Sequence, residues 1–227
     1  MAKGLFVTAT GTDAGKTYIT ALLVKKLFEA GLSAGYYKAA LSGAETIADS
    51  DAGYVKRISG IDQPEESVLS YLYQNSVSPH LAARIEGNPV ELEKIRADFA
   101  KVVENYDYVT VEGSGGIVCP IRWDHQKILL EDIIKEVGLD TVIVADAGLG
   151  TINAVVLTVS YLKSRKIGIR GIILNHYSGG VMQEDNIRMI EELTGIPVVA
   201  VVRDGDEDIE IPLEKLCGMY GEISANR

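Results

Sequence analysis

Gly15-Lys16-Thr17 closes a short loop that follows an apolar, β-prone run (Leu5, Phe6, Val7) and precedes a helical pattern. Strand, glycine-containing loop and helix in that order form the setting in which a chain cradles phosphate. Backbone N–H groups converge on phosphate oxygens at a helix N-terminus, where the helix dipole also favours negative charge. Lys16 is placed to reach the β- and γ-phosphates of a nucleoside triphosphate, and the Thr17 hydroxyl to ligate Mg²⁺. The loop departs from the simple G-x-x-x-x-G-K-T spacing. Thr10 stands where glycine is required, and the nearest glycine is Gly11.

Three further groups could share in that chemistry. Glu112 ends an apolar strand and opens the run Glu112-Gly113-Ser114-Gly115-Gly116. A carboxylate there can face a nucleotide-bound Mg²⁺, and the glycines let backbone N–H groups approach an anion closely. Asp51, in Asp49-Ser50-Asp51, is either a second carboxylate for the metal or part of a helix N-cap. Lys38 closes the second expected strand after Tyr36 and Tyr37. It is either a functional cation or a lysine whose stem covers the sheet edge. Ser42-Gly43 follows on a loop within reach of the same pocket. His80, His125 and His176 share no metal-ligand spacing. Ser114 does not lie in a Gly-x-Ser-x-Gly elbow, and Tyr71 and Tyr73 read as packing.

The elements that must position these groups alternate between strand and helix, the pattern of parallel βαβ units. Strands are expected over 5–9, 33–38, 108–112, 141–145, 171–175 and 196–202. Helices are expected over 16–30, 79–85, 91–105, 152–162 and 184–193. Residues 39–78 read as loop-rich with helical potential over 51–58. An acidic loop with Asp204, Asp206, Glu207 and Asp208 precedes a short terminal helix. In such sheets ligands bind at the carboxyl ends of the strands. The loop, Lys38, Glu112 and Asn175 all fall there.

A chain of 227 residues with 47% hydrophobic content suits one α/β domain over 1–227. Net charge is −10 with no basic block, which argues against nucleic acid as the main partner. Cys119 and Cys217 lie far apart and read as two reduced thiols of a cytoplasmic protein. No signal peptide and no membrane-spanning run are expected.

Taken along the whole chain, these segments resemble the dethiobiotin synthetase family. The resemblance is carried by the loop over 6–17, by Tyr37-Lys38 with Ser42-Gly43, and by Ser50-Asp51. It continues through Ser78-Pro79-His80, the run from Val111 to Gly116, Leu149-Gly150-Thr151-Ile152-Asn153 and the strand-closing Asn175. It implies a three-layer P-loop NTPase-like α/β fold, with a mostly parallel sheet and helices on both faces. It implies an ATP-dependent carboxylase of biotin biosynthesis acting on 7,8-diaminononanoate and CO₂, with ATP as co-substrate and Mg²⁺ as cofactor.

The implied roles follow residue by residue. Asp13, Ala14, Gly15, Lys16, Thr17 and Tyr18 contact the nucleotide, with Asp51, Glu112, Gly113, Ser114, Gly115 and Asn175. Thr17, Asp51 and Glu112 hold Mg²⁺. Lys38, Lys16 and Thr12 are catalytic. Thr12, Ser42, Gly115 and Gly116 meet the substrate, and Asp13 lies against its amine or Lys38. Gly150, Thr151 and Asn153 bind its carboxylate tail from the neighbouring subunit, so a homodimer is implied. The sequence departs from the family pattern at Ala9, at Ala39, and in the proline-free Val202-Arg203-Asp204-Gly205.

Two other readings share the loop and the fold. An amidoligase of the cobyrinic acid diamide synthase type needs a glutaminase domain, for which 227 residues leave no room. A partition-type nucleotide-switch ATPase carries a second lysine five residues before the invariant one, where this chain has Gly11.

Overall fold

The computed structural model describes residues 1–223. In chain order the elements are β1 (Lys3–Ala9), α1 (Lys16–Glu29), β2 (Ala34–Ser42), α2 (Asp51–Ser59), β3 (Leu69–Tyr73), α3 (Pro79–Ile85) and α4 (Leu92–Asn105). There follow β4 (Tyr108–Glu112), β5 (Pro120–Trp123), β6 (Lys127–Leu129), α5 (Leu130–Val137), β7 (Thr141–Asp146), α6 (Thr151–Ser164) and β8 (Ile169–Asn175). The remainder are α7 (Val181–Thr194), β9 (Val198–Val201), α8 (Leu213–Met219) and β10 (Gly221–Glu222).

The main sheet runs β3-β2-β4-β1-β7-β8-β9 with every neighbouring pair parallel. Among the described residues, β10 alone joins that sheet antiparallel, pairing with the start of β1. Side chains alternate across each strand and feed two cores. Leu5 and Val7 of β1 join Tyr36 of β2 and Ile19, Leu23 and Leu27 of α1 on one face. Phe6 and Tyr37 join Phe99 of α4 and Ile133 of α5 on the other. Burial on both faces explains why the strands read as near-continuous apolar runs.

Four expectations are revised. β2 does not end at Lys38 but continues to Ser42, because its backbone from Lys38 onward pairs with β3. Lys38 therefore sits mid-strand, opposite Glu112. The stretch expected to be loop contains β3, whose Tyr71 and Tyr73 rings stack at 6.2 Å. The β5–β6 hairpin and α5 were not expected, although α5 buries Leu130, Ile133, Ile134 and Val137 at helical spacing. The open question at Asp51 is resolved as well. Ser50 is the N-cap of α2, its Oγ accepting from the N–H groups of Ala52 and Gly53. Asp51 is the first helical residue, so its carboxylate is free to point into the site.

Candidate active site

The loop from β1 to α1 explains the missing glycine at position 10. Thr10 still donates its N–H to Val144 O, extending the strand geometry, and only Gly15 in the loop has a positive φ, at 81°. A side chain is therefore tolerated at position 10, whereas Gly15 lies in the left-handed region. A Cβ on Gly15 would also fall 2.0 Å from Asn175 Nδ2. Asn175, at the end of β8, donates that amide to Ala14 O at 3.3 Å. Its Oδ1 is buried without a partner among the described residues.

Beneath the loop, five polar side chains come together: Tyr36 and Lys38 of β2, Glu112 of β4, Thr17 of α1 and Asp51 of α2. Glu112 Oε1 accepts from Thr17 Oγ1 at 2.7 Å and from Lys38 Nζ at 2.8 Å. Lys38 Nζ also bonds Asp51 Oδ2 at 2.5 Å. Glu112 Oε2 accepts from Tyr36 OH at 3.0 Å. Lys38 is only 3% exposed and Glu112 only 1%. Burial opposes the charge on Lys38, but the Glu112 and Asp51 carboxylates outweigh it and raise its pKa above the usual lysine value. Burial likewise pushes Asp51 up, yet Lys38, Lys16 and Thr17 hold it below the ordinary aspartate range. Tyr36 is fully buried beside Glu112, which drives its pKa well up and keeps the phenol protonated.

Lys16 differs from Lys38. Burial is the main influence and lowers its pKa, with the charge of Lys38 adding to the effect and Glu112 opposing it. Both carboxylates bond Lys38 instead. Lys16 is thus a buried ammonium facing a cavity, the arrangement expected of a group that awaits an anion.

That cavity, about 490 Å³, is lined by Thr12, Asp13, Lys16, Thr17, Lys38, Ser42, Asp51, Ser114 and Gly115. These expected residues therefore converge. Gly15, Thr17, Tyr18 and Asp51 line an adjoining cavity of about 600 Å³. Ala14 is buried in the loop, and Gly113 packs on Phe6 and Leu130. Gly116 backs onto Thr10 and Gly11, supporting the loop from behind. Ser114 Oγ donates to Ala40 O at 2.6 Å, and Ser42 Oγ to Val77 O at 2.6 Å, so both hydroxyls tie neighbouring segments together. The carboxylates bonded to Lys38 are Asp51 and Glu112, not Asp13.

Gly150, Thr151 and Asn153, at the start of α6, do not line this chain's own cavity. Sequence reasoning missed Leu41, Val77 and Cys119 on the wall, and Tyr36 behind Glu112. Tyr36 was legible in principle, since it lies two residues before Lys38 on the same strand face. Cys119 is a poor nucleophile here, because burial pushes its thiol up to about 11 against the pull of Lys16.

The donor set can be tested for a metal. Among the described residues no three His, Cys, Asp or Glu side chains cluster as a complete metal site. Two carboxylates flank the Lys38 ammonium, which stands as a cation between them, and the Thr17 hydroxyl bonds one of them, Glu112. Oxygen-only donors, too few to close a shell, suit Mg²⁺, which leaves positions for phosphate and water.

A parallel sheet with a phosphate-cradling loop at its central strand, and buried cations and carboxylates beneath it, defines a P-loop nucleotide-binding α/β protein. The ParA family ATPase of Chlorobium tepidum shares this fold, with TM-score 0.53 and 17% identity over 91% of this chain and 85% of that one. An AAA domain family model matches residues 3–207. The ATP-dependent dethiobiotin synthetase BioD of Brachyspira hyodysenteriae is 51% identical over 90% of this chain and 94% of its own length. That of Clostridium botulinum is 47% identical over 98% of this chain and 100% of its own. The chain belongs to the ATP-dependent dethiobiotin synthetase family.

Proposed function

We propose that the chain, as one domain, carboxylates 7,8-diaminononanoate with CO₂ and closes the ring at the expense of ATP, giving dethiobiotin, ADP and phosphate. One amine of the substrate takes up CO₂ as a carbamate. The carbamate oxygen attacks the γ-phosphorus, and ADP leaves. The second amine then attacks the mixed anhydride, expelling phosphate and forming the cyclic urea. The observation that carries the reading is the pair of buried ammonium groups, Lys16 and Lys38, on one cavity wall.

The roles follow from charge. A carbamate and a phosphate repel each other, so the site must neutralise both. Lys16 meets the phosphate oxygens under the loop, and Lys38 meets the carbamate and the charge that grows as the phosphoryl group transfers. Thr12 and Ser42 hydrogen-bond the carbamate or diamine, and Asp13 faces an amine. Thr17, Asp51 and Glu112 would hold Mg²⁺, which would supply charge neutralisation to the phosphates. Holding two anions in line contributes several kcal/mol through positioning alone. Asn175 Oδ1, an acceptor without a donor beside the loop, is suited to the base of the nucleotide.

The substrate's carboxylate tail falls to the α6 start of a second copy, Gly150 to Asn153, which makes the working unit a homodimer. Exposed Leu149 and Val181 support this. Asn186 of α7 donates to the carbonyls of Ala147 and Gly148, holding the segment that bears Leu149 against the helix that bears Val181. Among the described residues no helix is long and apolar enough to cross a membrane. We place the enzyme in the cytoplasm, with small molecules rather than nucleic acid as partners.

The test is phosphate release from ATP with and without the diamine plus bicarbonate. Release should require both, with dethiobiotin accumulating. Release indifferent to the diamine overturns the reading.

A further inference from the structure

We propose that Tyr36 is a positioning residue for the metal-binding carboxylate: its hydroxyl pins Glu112 so that one oxygen alone faces the phosphate loop. The proposal rests on Glu112 acting as a metal acid, as argued above.

The geometry divides the carboxylate into two sides. Oε1 takes the Thr17 and Lys38 donors, and both of those side chains line the cavity. Oε2 points into the protein, where the Tyr36 hydroxyl is the donor that meets it, at 3.0 Å. Glu112 is 1% exposed, so water is a poor substitute for that donor. With the hydroxyl in place, the carboxylate plane is held from both ends and Oε1 is offered singly. Without it, Oε2 is a buried unpaired oxygen, and the group gains by rotating to find a partner.

Tyr36 is itself held unusually well. It lies on β2 ahead of the first residue that pairs with β3, so its outer backbone edge lacks a strand. Gln63 replaces that strand with one side chain. Its Oε1 accepts from Tyr36 N–H at 2.8 Å, and its Nε2 donates to Tyr36 O at 2.9 Å. Gln63 is 1% exposed. A buried amide clasping one residue's backbone fixes where that residue's hydroxyl ends up. Outer partners that orient metal-binding carboxylates commonly change affinity by about 10–100-fold when removed.

The test is Tyr36→Phe, which keeps the ring that fills the core and deletes only the hydroxyl. Mn²⁺ is titrated into the protein loaded with a non-hydrolysable ATP analogue, and free Mn²⁺ is read by electron paramagnetic resonance. Analogue affinity without metal is measured alongside, as is Mn²⁺ binding by Glu112→Gln. We expect Tyr36→Phe to weaken Mn²⁺ about tenfold while metal-free analogue affinity holds, and Glu112→Gln to weaken Mn²⁺ at least as much. Wild-type Mn²⁺ affinity in Tyr36→Phe with a defective Glu112→Gln overturns the role of Tyr36 alone. Wild-type affinity in both overturns the metal reading of Glu112 and the inference with it. Equal losses of Mn²⁺ and metal-free analogue affinity in Tyr36→Phe show a general structural role and also overturn it.

Discussion

Lys38 and Glu112 face each other across adjacent parallel strands, and Nζ lies 2.8 Å from Oε1. The lysine proposed to meet the carbamate thus rests on the two carboxylates proposed to hold the metal. Its ammonium stabilises two acids whose mutual repulsion would otherwise oppose folding. A divalent ion held by Asp51 and Glu112, as proposed, would supply the same charge compensation that Lys38 supplies here.

Lys38→Met should therefore lower both turnover and stability. Removing one partner of a buried pair typically costs about 3–5 kcal/mol. The low end is expected, because Thr17 and Tyr36 still donate to Glu112. Turnover should fall by about two orders of magnitude or more, given the transition-state charge left unmet. Thermal unfolding should show a lower Tm that Mg²⁺ partly restores. An unchanged Tm with normal turnover would contradict both roles.

Lys16→Met should separate stability from function in the opposite direction. The folded protein holds this ammonium at a burial cost, as its lowered pKa indicates. Replacing it should leave Tm unchanged or slightly raised, while nucleotide affinity drops about 100-fold or more in calorimetric titration. Such trade-offs are characteristic of sites that store unmet charge.

The Asp51–Lys38 pair has a definite pH signature. Asp51 titrates below its ordinary value of 3.8 in the folded state, so its contribution is present above that value and lost as pH falls through the folded pKa. Lys38 is shifted above 10.5, so its contribution is complete below 10.5 and lost as pH rises through the folded value. Asp51→Asn should flatten the decline in stability below about pH 4, seen in Tm against pH, relative to wild type. A parallel acid limb in the variant would show that the pair contributes nothing.

Gly15→Ala should damage the loop doubly. The backbone there has φ 81°, and the new Cβ would overlap Asn175 Nδ2. A non-glycine residue in the left-handed region costs about 1–2 kcal/mol before any clash. Chemical denaturation should show a loss of at least that size, and ATP affinity should fall because Asn175 must move. Ala14, in ordinary backbone geometry, should tolerate Ala14→Ser by the same assays.

Leu149→Asp with Val181→Asp should yield a folded monomer in sedimentation, with a raised KM for the diamine and little change for ATP. A dimer that persists would place the interface elsewhere on the surface.

Local chemistry was enough to announce part of this arrangement. Gly15-Lys16-Thr17 after an apolar strand specifies a phosphate loop, because backbone amides and a helix N-terminus depend only on neighbours in the chain. The helix starting at Pro79 and the strand ending at Glu112 are likewise local, set by a proline at the first turn and by an unbroken apolar run.

What local pattern could not supply was decided by pairing between distant strands. Read from the sequence, the strand closes at Lys38 and a loop-rich stretch follows, yet pairing with β3 carries the strand on to Ser42. Asp51 could have been a cap until Ser50 took that place. The partner of Tyr36 lies 76 residues away in sequence, and only the β2–β4 register brings its hydroxyl to Glu112. Charge pairing in a buried site depends on which side chains meet across the sheet, and that is a property of the packed molecule rather than of any single segment.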